Sequence, residues 1–304
     1  MKTDIIIIGA GPAGMTAAVY ALRNNKSVLV LESTSVGGQI ALSPKVENFP
    51  SYSQISGSDF SNRLFEQILL LGANFELEEV TAIVKNGDGT FSVGTNCGEH
   101  QAKAVIIANG VKQKHLNIEA EEKFIGNGVY YCAICDGAFF SGKEVAVVGD
   151  GNSALQTAIY LSSICTKVHV LTWFDKYFGD QSLIDVLKKT DNIVTVPNVN
   201  VVDFLGKEEL IGVKCQRQID GSTRILNVPA VFVAIGQIPD NKRYANLVDL
   251  DENGYILADE DLKTRTDGLF VAGDTRRKTI RQLTTAVGDG TVAAMSAIEY
   301  IMKN

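Results

Sequence analysis

The sequence predicts an α/β chain of two βαβ-built domains, the second inserted in the first. Three observations carry that prediction. A strand, glycine turn, helix and strand follow one another twice, with the two copies 140 residues apart. Each copy is followed by a short apolar strand ending in glycine. A last strand near the C-terminus, Gly268-Leu-Phe-Val-Ala-Gly273, must return to a sheet, and we assign it to the first domain.

The first copy is Asp4-Ile-Ile-Ile-Ile-Gly9-Ala-Gly11-Pro12-Ala13-Gly14, a helical stretch to about Asn24, then Ser27-Val-Leu-Val-Leu-Glu32. The second is Glu144-Val-Ala-Val-Val-Gly149-Asp-Gly151-Asn-Ser-Ala154, a helical stretch to about Ser163, then Lys167-Val-His-Val-Leu-Thr172. The later strands are Ala104-Val-Ile-Ile-Ala108-Asn109-Gly110 and Ala230-Val-Phe-Val-Ala-Ile-Gly236. Short β-branched apolar runs of this kind suit inner strands. An amphipathic helix is expected from about Gln282 to Tyr300. The expected architecture is therefore two Rossmann-like, three-layer ββα domains. The first spans 1–114 and 244–304, the second 115–243, with chain crossings near 112–116 and 240–246.

Composition narrows the function. The 304 residues are 45% hydrophobic and 21% charged, ordinary for a globular protein of two domains. The net charge of −7 argues against a general nucleic-acid or membrane surface. The apolar run Ile5–Ile8 is short, has no small-residue cleavage site and enters a glycine turn directly, so it reads as a strand and not a signal peptide. No stretch approaches the ~18 apolar residues of a membrane helix. A cytoplasmic location is expected.

Gly9, Gly11 and Gly14 form G-x-G-x-x-G between a strand and a helix. The first glycine permits the turn, the second lets backbone approach a pyrophosphate, and the third allows close helix packing. Glu32 follows Gly11 by 21 residues, where a carboxylate can accept hydrogen bonds from a ribose. The second turn, Gly149, Gly151 and Ala154, has the same context, but the same count lands on Thr172, followed by Trp173 and Phe174. An NAD site wants an acid there and an NADP site wants arginine. Asp175 and Lys176 lie slightly beyond. The two aromatics are either packing or surface residues, or they occlude a vestigial pocket.

Cys132 and Cys135 form C-x-x-C ahead of the second βαβ unit, and Asp136 follows them. Two thiols at this spacing can close a disulfide, and one is commonly lowered in pKa by its surroundings. A zinc site needs further ligands; His100, His115 and His169 show no ligand spacing and there is no second C-x-x-C, so no metal is expected. Redox chemistry is the leading reading, beside metal binding and inert thiols. Asp136 can transfer protons as the dithiol forms or breaks, or simply cap a turn. Cys97, Cys165 and Cys215 read as isolated thiols.

These motifs together resemble the low-molecular-weight thioredoxin reductase family over essentially the whole chain. The matching segments are Gly9-Ala-Gly11-Pro12-Ala13-Gly14, Gly37-Gly38-Gln39, Val46-Glu47-Asn48-Phe49-Pro50, Cys132-Ala-Ile-Cys135-Asp136-Gly137, Gly149-Asp-Gly151-Asn-Ser-Ala154, and Gly273-Asp274 with Arg281-Gln282. The family's Ala-Thr-Gly is Ala108-Asn109-Gly110 here. The resemblance implies FAD in the first domain, on Gly9, Gly11, Pro12, Ala13, Gly14, Glu32, Gly38, Gln39, Asn48, Ala108, Gly110, Gly273, Asp274 and Arg281, with the backbone near Gln282 facing the flavin ring. It implies that Cys135 lies nearest the flavin, Cys132 attacks the protein substrate and Asp136 is the acid. It also implies thioredoxin as acceptor, a homodimer, and rotation of the inserted domain.

The chain departs from the family at one place. NADPH-dependent members carry His-Arg-Arg and a fourth basic residue where this sequence has Thr172, Trp173, Phe174 and Phe178, and their helix glutamate is replaced around Gln156 and Thr157. Each lost charge-assisted phosphate contact costs ~1.5–3 kcal/mol. The pattern is similar to the ferredoxin-dependent flavin thioredoxin reductases, which implies reduced ferredoxin as donor, a role FAD can serve by pairing single electrons. Arg276-Arg277-Lys278 with Arg281 reads either as part of a basic docking patch for an acidic ferredoxin or as a solvated turn that also helps the FAD site. The alternatives are an NADPH- or NADH-dependent reductase with an altered pocket, a ferredoxin–NADP reductase of similar architecture, and a non-enzymatic flavin redox sensor.

Overall fold

The computed structural model describes residues 2–43 and 46–304; Met1, at the head of the run read as the first strand, lies outside them. The chain divides into two compact units, one of residues 1–45, 49–112 and 238–304, the other of 46–48 and 113–237. Both are the α/β, three-layer arrangement that the sequence predicts.

In the first unit, five strands run parallel in the order Asn74–Leu77, Val28–Glu32, Lys2–Ile8, Glu99–Ile107 and Leu269–Val271. The C-terminal strand pairs parallel with the end of Glu99–Ile107, Leu269 facing Val105 and Val271 facing Ile107. The other half of that long strand pairs antiparallel with Phe91–Thr95, which pairs with Val80–Lys85. Alternation along Ile5–Ile8 shows the layering. Ile5 and Ile7 pack with the helices Pro12–Arg23, Gly57–Leu70 and Leu283–Lys303, while Ile6 and Ile8 pack with Val80, Ile83, Phe91 and Val93 of the antiparallel strands. Both faces of the strand are buried, so it reads as a continuous apolar run.

The helix Pro12–Arg23 starts with proline at its first position, where the missing N–H leaves no bond unmade. It is rich in alanine because the C-terminal helix lies almost against it. A Cβ on Gly290 would stand 2.2 Å from the carbonyl of Ala13, so only glycine fits there.

The second unit repeats the plan. Its parallel sheet runs Ile193–Val196, Lys167–Leu171, Glu144–Val148, Val231–Val233 and Val129–Tyr130. Val145 and Val147 face a core shared with the helices Asn152–Ser162 and Gln181–Lys188. Ala146 and Val148 face the antiparallel strands Val199–Gly206, Leu210–Arg217 and Thr223–Leu226.

The units divide at 112/113 and 237/238, where the sequence reading places 114/115 and 243/244. Residues 238–244 pack with the first unit for a physical reason. Buried Asn241 donates to the carbonyls of Gly254 and Thr275, Arg243 donates to Val80 and ion-pairs with Glu79, and Tyr244 is buried beneath the sheet. On the other side of the first crossing, Lys114 N–H donates to Gly236 O within the second unit. No helix among the described residues is long and apolar enough to cross a membrane.

Candidate active site

The first glycine turn is built as its sequence requires. Gly9 has φ +109°, and a Cβ there would lie 2.4 Å from Ala108 O; a Cβ on Gly14 would lie 2.0 Å from Gly9 O. In contrast, among the described residues no atom beyond its chain neighbours stands within 4 Å of the Cβ position of Gly11. The turn is therefore closed by backbone on two sides and open on the third, beside the N-terminus of Pro12–Arg23, where free amides favour an anion. Gly38 approaches the same point, its Cβ position 3.5 Å from Gly11 Cα, next to the bond from Gly37 N–H to Ala10 O. Gln39 reaches Val111 O at 3.3 Å.

Glu32 turns back to the turn and accepts Ala10 N–H at 2.8 Å with one oxygen and Thr34 N–H at 2.9 Å with the other. A cleft of about 570 Å³ opens beside it, lined by Gly9, Glu32, Asn109, Gly110, Arg243 and Tyr244 among others. Buried Asn109 Oδ1 has no partner among the described residues, so acceptor capacity remains there. Gly273 closes on the first helix, its Cβ position 2.9 Å from Ala13 Cβ, and Asp274 follows it. Lys278 Nζ stands 3.2 Å from Asp274 Oδ1, yet the angle is not that of a hydrogen bond, so this buried oxygen keeps acceptor capacity for a ligand hydroxyl. Arg281 lies 4.2 Å over the ring of Tyr255, and Gln282 caps the C-terminal helix through a reciprocal bond with Thr285. An open glycine turn, a flanking acid and unfilled buried acceptors fit a dinucleotide with a pyrophosphate and ribose-like hydroxyls.

The fit predicts opposite outcomes at two glycines. Gly11→Ala should fold normally, with an unchanged melting temperature of the cofactor-free protein, and lose FAD at least tenfold. Gly14→Ala should destabilise that cofactor-free protein by about 2 kcal/mol or more, because its Cβ meets backbone. Calorimetry and flavin titration distinguish the two, and equal melting temperatures would refute the steric argument.

The cysteine pair lies in the second unit. Cys132 and Cys135 are joined in a disulfide, both half-buried, at the start of the short helix Ala133–Asp136. Cys135 N–H donates to Cys132 Sγ at 3.2 Å. Ile134, between them, is exposed. Gly137 lets this helix press on Asn152–Ser162; a Cβ there would stand 2.8 Å from Leu161 Cδ2. Asp136 is buried. Burial, and secondarily the Asp136 charge, pushes the Tyr130 hydroxyl up to about 12.

Sequence reasoning missed a cluster just ahead of the pair. Buried Glu121 accepts Leu116 N–H, Asn117 N–H and Tyr131 O–H at 3.0, 2.9 and 2.8 Å, and His115 Nδ1 lies 2.9 Å from the same hydroxyl. Burial and Glu121 together push the Tyr131 hydroxyl well above its ordinary range. Tyr131 adjoins Cys132, which is the one signal the sequence offered.

Asn48, expected on the cofactor, lies in the piece 46–48 that groups with the second unit. One further expectation needs revision. The basic patch is largely spent internally: Arg276 and Lys278 pair with Asp289 and Arg281 with the Tyr255 ring, leaving Arg277 as the exposed cation of the group. Four basic residues in a row of six look like a surface patch only while the buried Asp289, eleven residues beyond Lys278, is unknown.

At the second glycine turn, Gly149 has φ +139° and its Cβ position lies 2.6 Å from Ala234 O, matching Gly9. The flanking chemistry differs. Thr172 Oγ1 donates to Phe174 O, and the Asp150 carboxylate takes its own backbone N–H, the bond that Glu32 makes in the first unit. Burial raises the Asp150 carboxyl, and its Oδ2 has no partner among the described residues. Phe174 and Phe178 are half-exposed and meet edge to face at 5.1 Å, with Lys176 Nζ 5.0 Å above Phe178.

Comparison with known proteins agrees with this geometry. A family model described as pyridine nucleotide-disulphide oxidoreductase matches residues 3–290. The thioredoxin reductase of Listeria monocytogenes is 38% identical, covering 98% of this chain and 93% of that protein. The chain belongs to the thioredoxin reductase family. A Clostridium pasteurianum relative named "34.2 kDa protein in rubredoxin operon" is 39% identical over 99% of this chain and 97% of its own length. The crystal structure of thioredoxin reductase from Streptococcus pyogenes covers 100% of this chain and 99% of that one, with TM-score 0.96 and 34% identity. The chain is thus a flavoprotein disulfide reductase, and its cofactor is FAD.

Proposed function

We propose that this enzyme reduces thioredoxin through FAD and the Cys132–Cys135 pair, and takes its electrons from reduced ferredoxin. The observation that carries the donor assignment is the second glycine turn. Its nucleotide-reading positions hold Thr172, Trp173, Phe174 and Phe178, without a basic side chain among them, and Asp150 sets a carboxylate beside the turn where a pyrophosphate would rest. Like charges there oppose a phosphate ligand. The Clostridium relative's name, which places it in a rubredoxin operon, supports an iron-protein supply.

FAD, when bound, collects two single electrons and releases them as a pair. With two electrons and two protons the disulfide opens to Cys132 and Cys135 thiols. Cys132, as thiolate, attacks one sulfur of the thioredoxin disulfide and displaces the other, forming a mixed disulfide. Cys135 then attacks Cys132 Sγ, restoring the pair and releasing reduced thioredoxin. Cys135 N–H, already directed at Cys132 Sγ, stabilises a thiolate there. Asp136, buried at the next position, holds and moves the protons. Gly9, Gly11, Pro12, Ala13, Gly14, Glu32, Gly38, Gln39, Ala108, Gly110, Gly273, Asp274, Arg281 and Gln282 hold the cofactor. The exposed run Leu69, Leu70 and Leu71 offers an apolar surface for a homodimer. The enzyme works in the cytoplasm.

Anaerobic mixing tests the donor. Reduced ferredoxin should bleach the flavin within seconds and NADPH or NADH should not. Rapid bleaching by micromolar NADPH would refute the assignment. One observation favours that second reading, a nicotinamide-driven reductase: the strand, positive-φ Gly149 and helix N-terminus that cradle a pyrophosphate are all intact.

A further inference from the structure

The four cations after Asp274 are not equivalent. Lys278 is almost wholly buried, its side chain 7% exposed, in a chain whose lysines otherwise lie mostly at the surface. Its Nζ stands 3.1 Å from Asp289 Oδ2, 3.2 Å from Asp274 Oδ1 and 3.3 Å from Thr285 Oγ1. Asp289, itself buried on the C-terminal helix, also accepts Gly273 N–H at 3.1 Å and both Arg276 Nε and Nη2, at 2.9 and 2.8 Å. Two cations thus meet two carboxylates, which is the condition for burying them at all. Burial works against the Asp289 charge, but Arg276 and Lys278 outweigh it and hold the carboxyl below its ordinary range.

Lys278 joins three places that sequence keeps apart. Asp274 belongs to the turn after the last strand. Thr285 closes the cap at Gln282, accepting Gln282 N–H at 3.1 Å. Asp289 fixes Gly273 from a turn further along the helix. An arginine or lysine that served only solubility would not be directed inward at all three.

We propose that Lys278 is the positioning residue of the flavin site. It sets the Asp274 carboxylate and the Gln282 cap at a fixed separation, with Asp289 as its anchor. This rests on the reading that Asp274 and Gln282 meet FAD. Lys278 also balances the Asp274 charge, so that the carboxylate accepts ligand hydroxyls without repelling the cofactor's phosphates.

The test uses holoenzyme and four variants. Lys278→Met should release FAD at least tenfold more readily, and move the flavin midpoint potential negative, because a cation near the more negative reduced form is lost. Lys278→Arg should restore most of both. Because a lone methionine leaves two carboxylates short of a partner, Lys278→Met with Asp289→Asn keeps the buried charges balanced and should fold with native circular dichroism and show the same weakening. FAD affinity within twofold of wild type in that double variant would overturn the proposal. Asp274→Asn separates it from its premise: if FAD affinity survives that change, Asp274 does not meet the cofactor and the underlying reading fails instead.

Discussion

Replacing Cys135 by serine is expected to abolish thioredoxin reduction, by at least about 1,000-fold, while the flavin remains reducible by its donor. No other thiol among the described residues can take its place. Cys165 and Cys215 are buried, and burial raises both thiols, Cys215 to about 11, so neither supplies thiolate at neutral pH. Cys97 is exposed, but it belongs to the first unit, on the loop before Glu99–Ile107, and has no neighbouring cysteine in sequence. Cys132→Ser should give the same loss by a different route, because the pair then cannot attack the substrate. The two variants differ in one measurable respect: Cys135→Ser keeps the attacking thiol and should trap a mixed disulfide with thioredoxin, which Cys132→Ser cannot form. Stopped-flow bleaching, insulin turbidity and non-reducing gels read these outcomes. Retained turnover in Cys135→Ser would contradict the relay.

The elements that sequence makes legible are those where backbone leaves little choice. Gly9 and Gly149 need positive φ and have no room for a Cβ, so their residue type announces the turn before any coordinate does. The Ile5–Ile8 run announces a strand buried on both faces. The cysteine spacing alone suffices for a disulfide. What sequence does not show is which charges are spent internally. Arg276, Lys278 and Arg281 read as a docking patch, and only the fold brings Asp289 and Tyr255 against them. The same limit hides Glu121, whose carboxylate accepts three hydrogen bonds beside the redox strand. The division of the chain slips for a related reason: Asn241, Arg243 and Tyr244 bond to partners tens of residues away, and no local pattern marks them. With the patch reduced to Arg277, a ferredoxin has to be recognised by other features. Charge reversal at Arg276 would break a buried pair and test stability instead of docking.

Installing the missing cations should convert the second glycine turn to an NADPH site. The variant combining Asp150→Gly, Trp173→Arg, Phe174→Arg and Phe178→Arg is expected to gain NADPH affinity at least about 1,000-fold over wild type. Each charge-assisted phosphate contact contributes ~1.5–3 kcal/mol, or about tenfold or more in affinity, so three of them reach that figure without ideal geometry. Removing Asp150 withdraws a carboxylate from beside the pyrophosphate position and frees the backbone N–H that it occupies, and the change only removes atoms, so it adds no steric clash. The aromatics can be exchanged because Phe174 and Phe178 are half-exposed and outside the buried core. Titration with 2′,5′-ADP and with ADP separates the contributions. The arginines should favour the 2′-phosphate compound strongly, whereas Asp150→Gly alone should help both equally. If wild type already binds 2′,5′-ADP at micromolar concentration, the cations were never needed, and the donor assignment fails with that result.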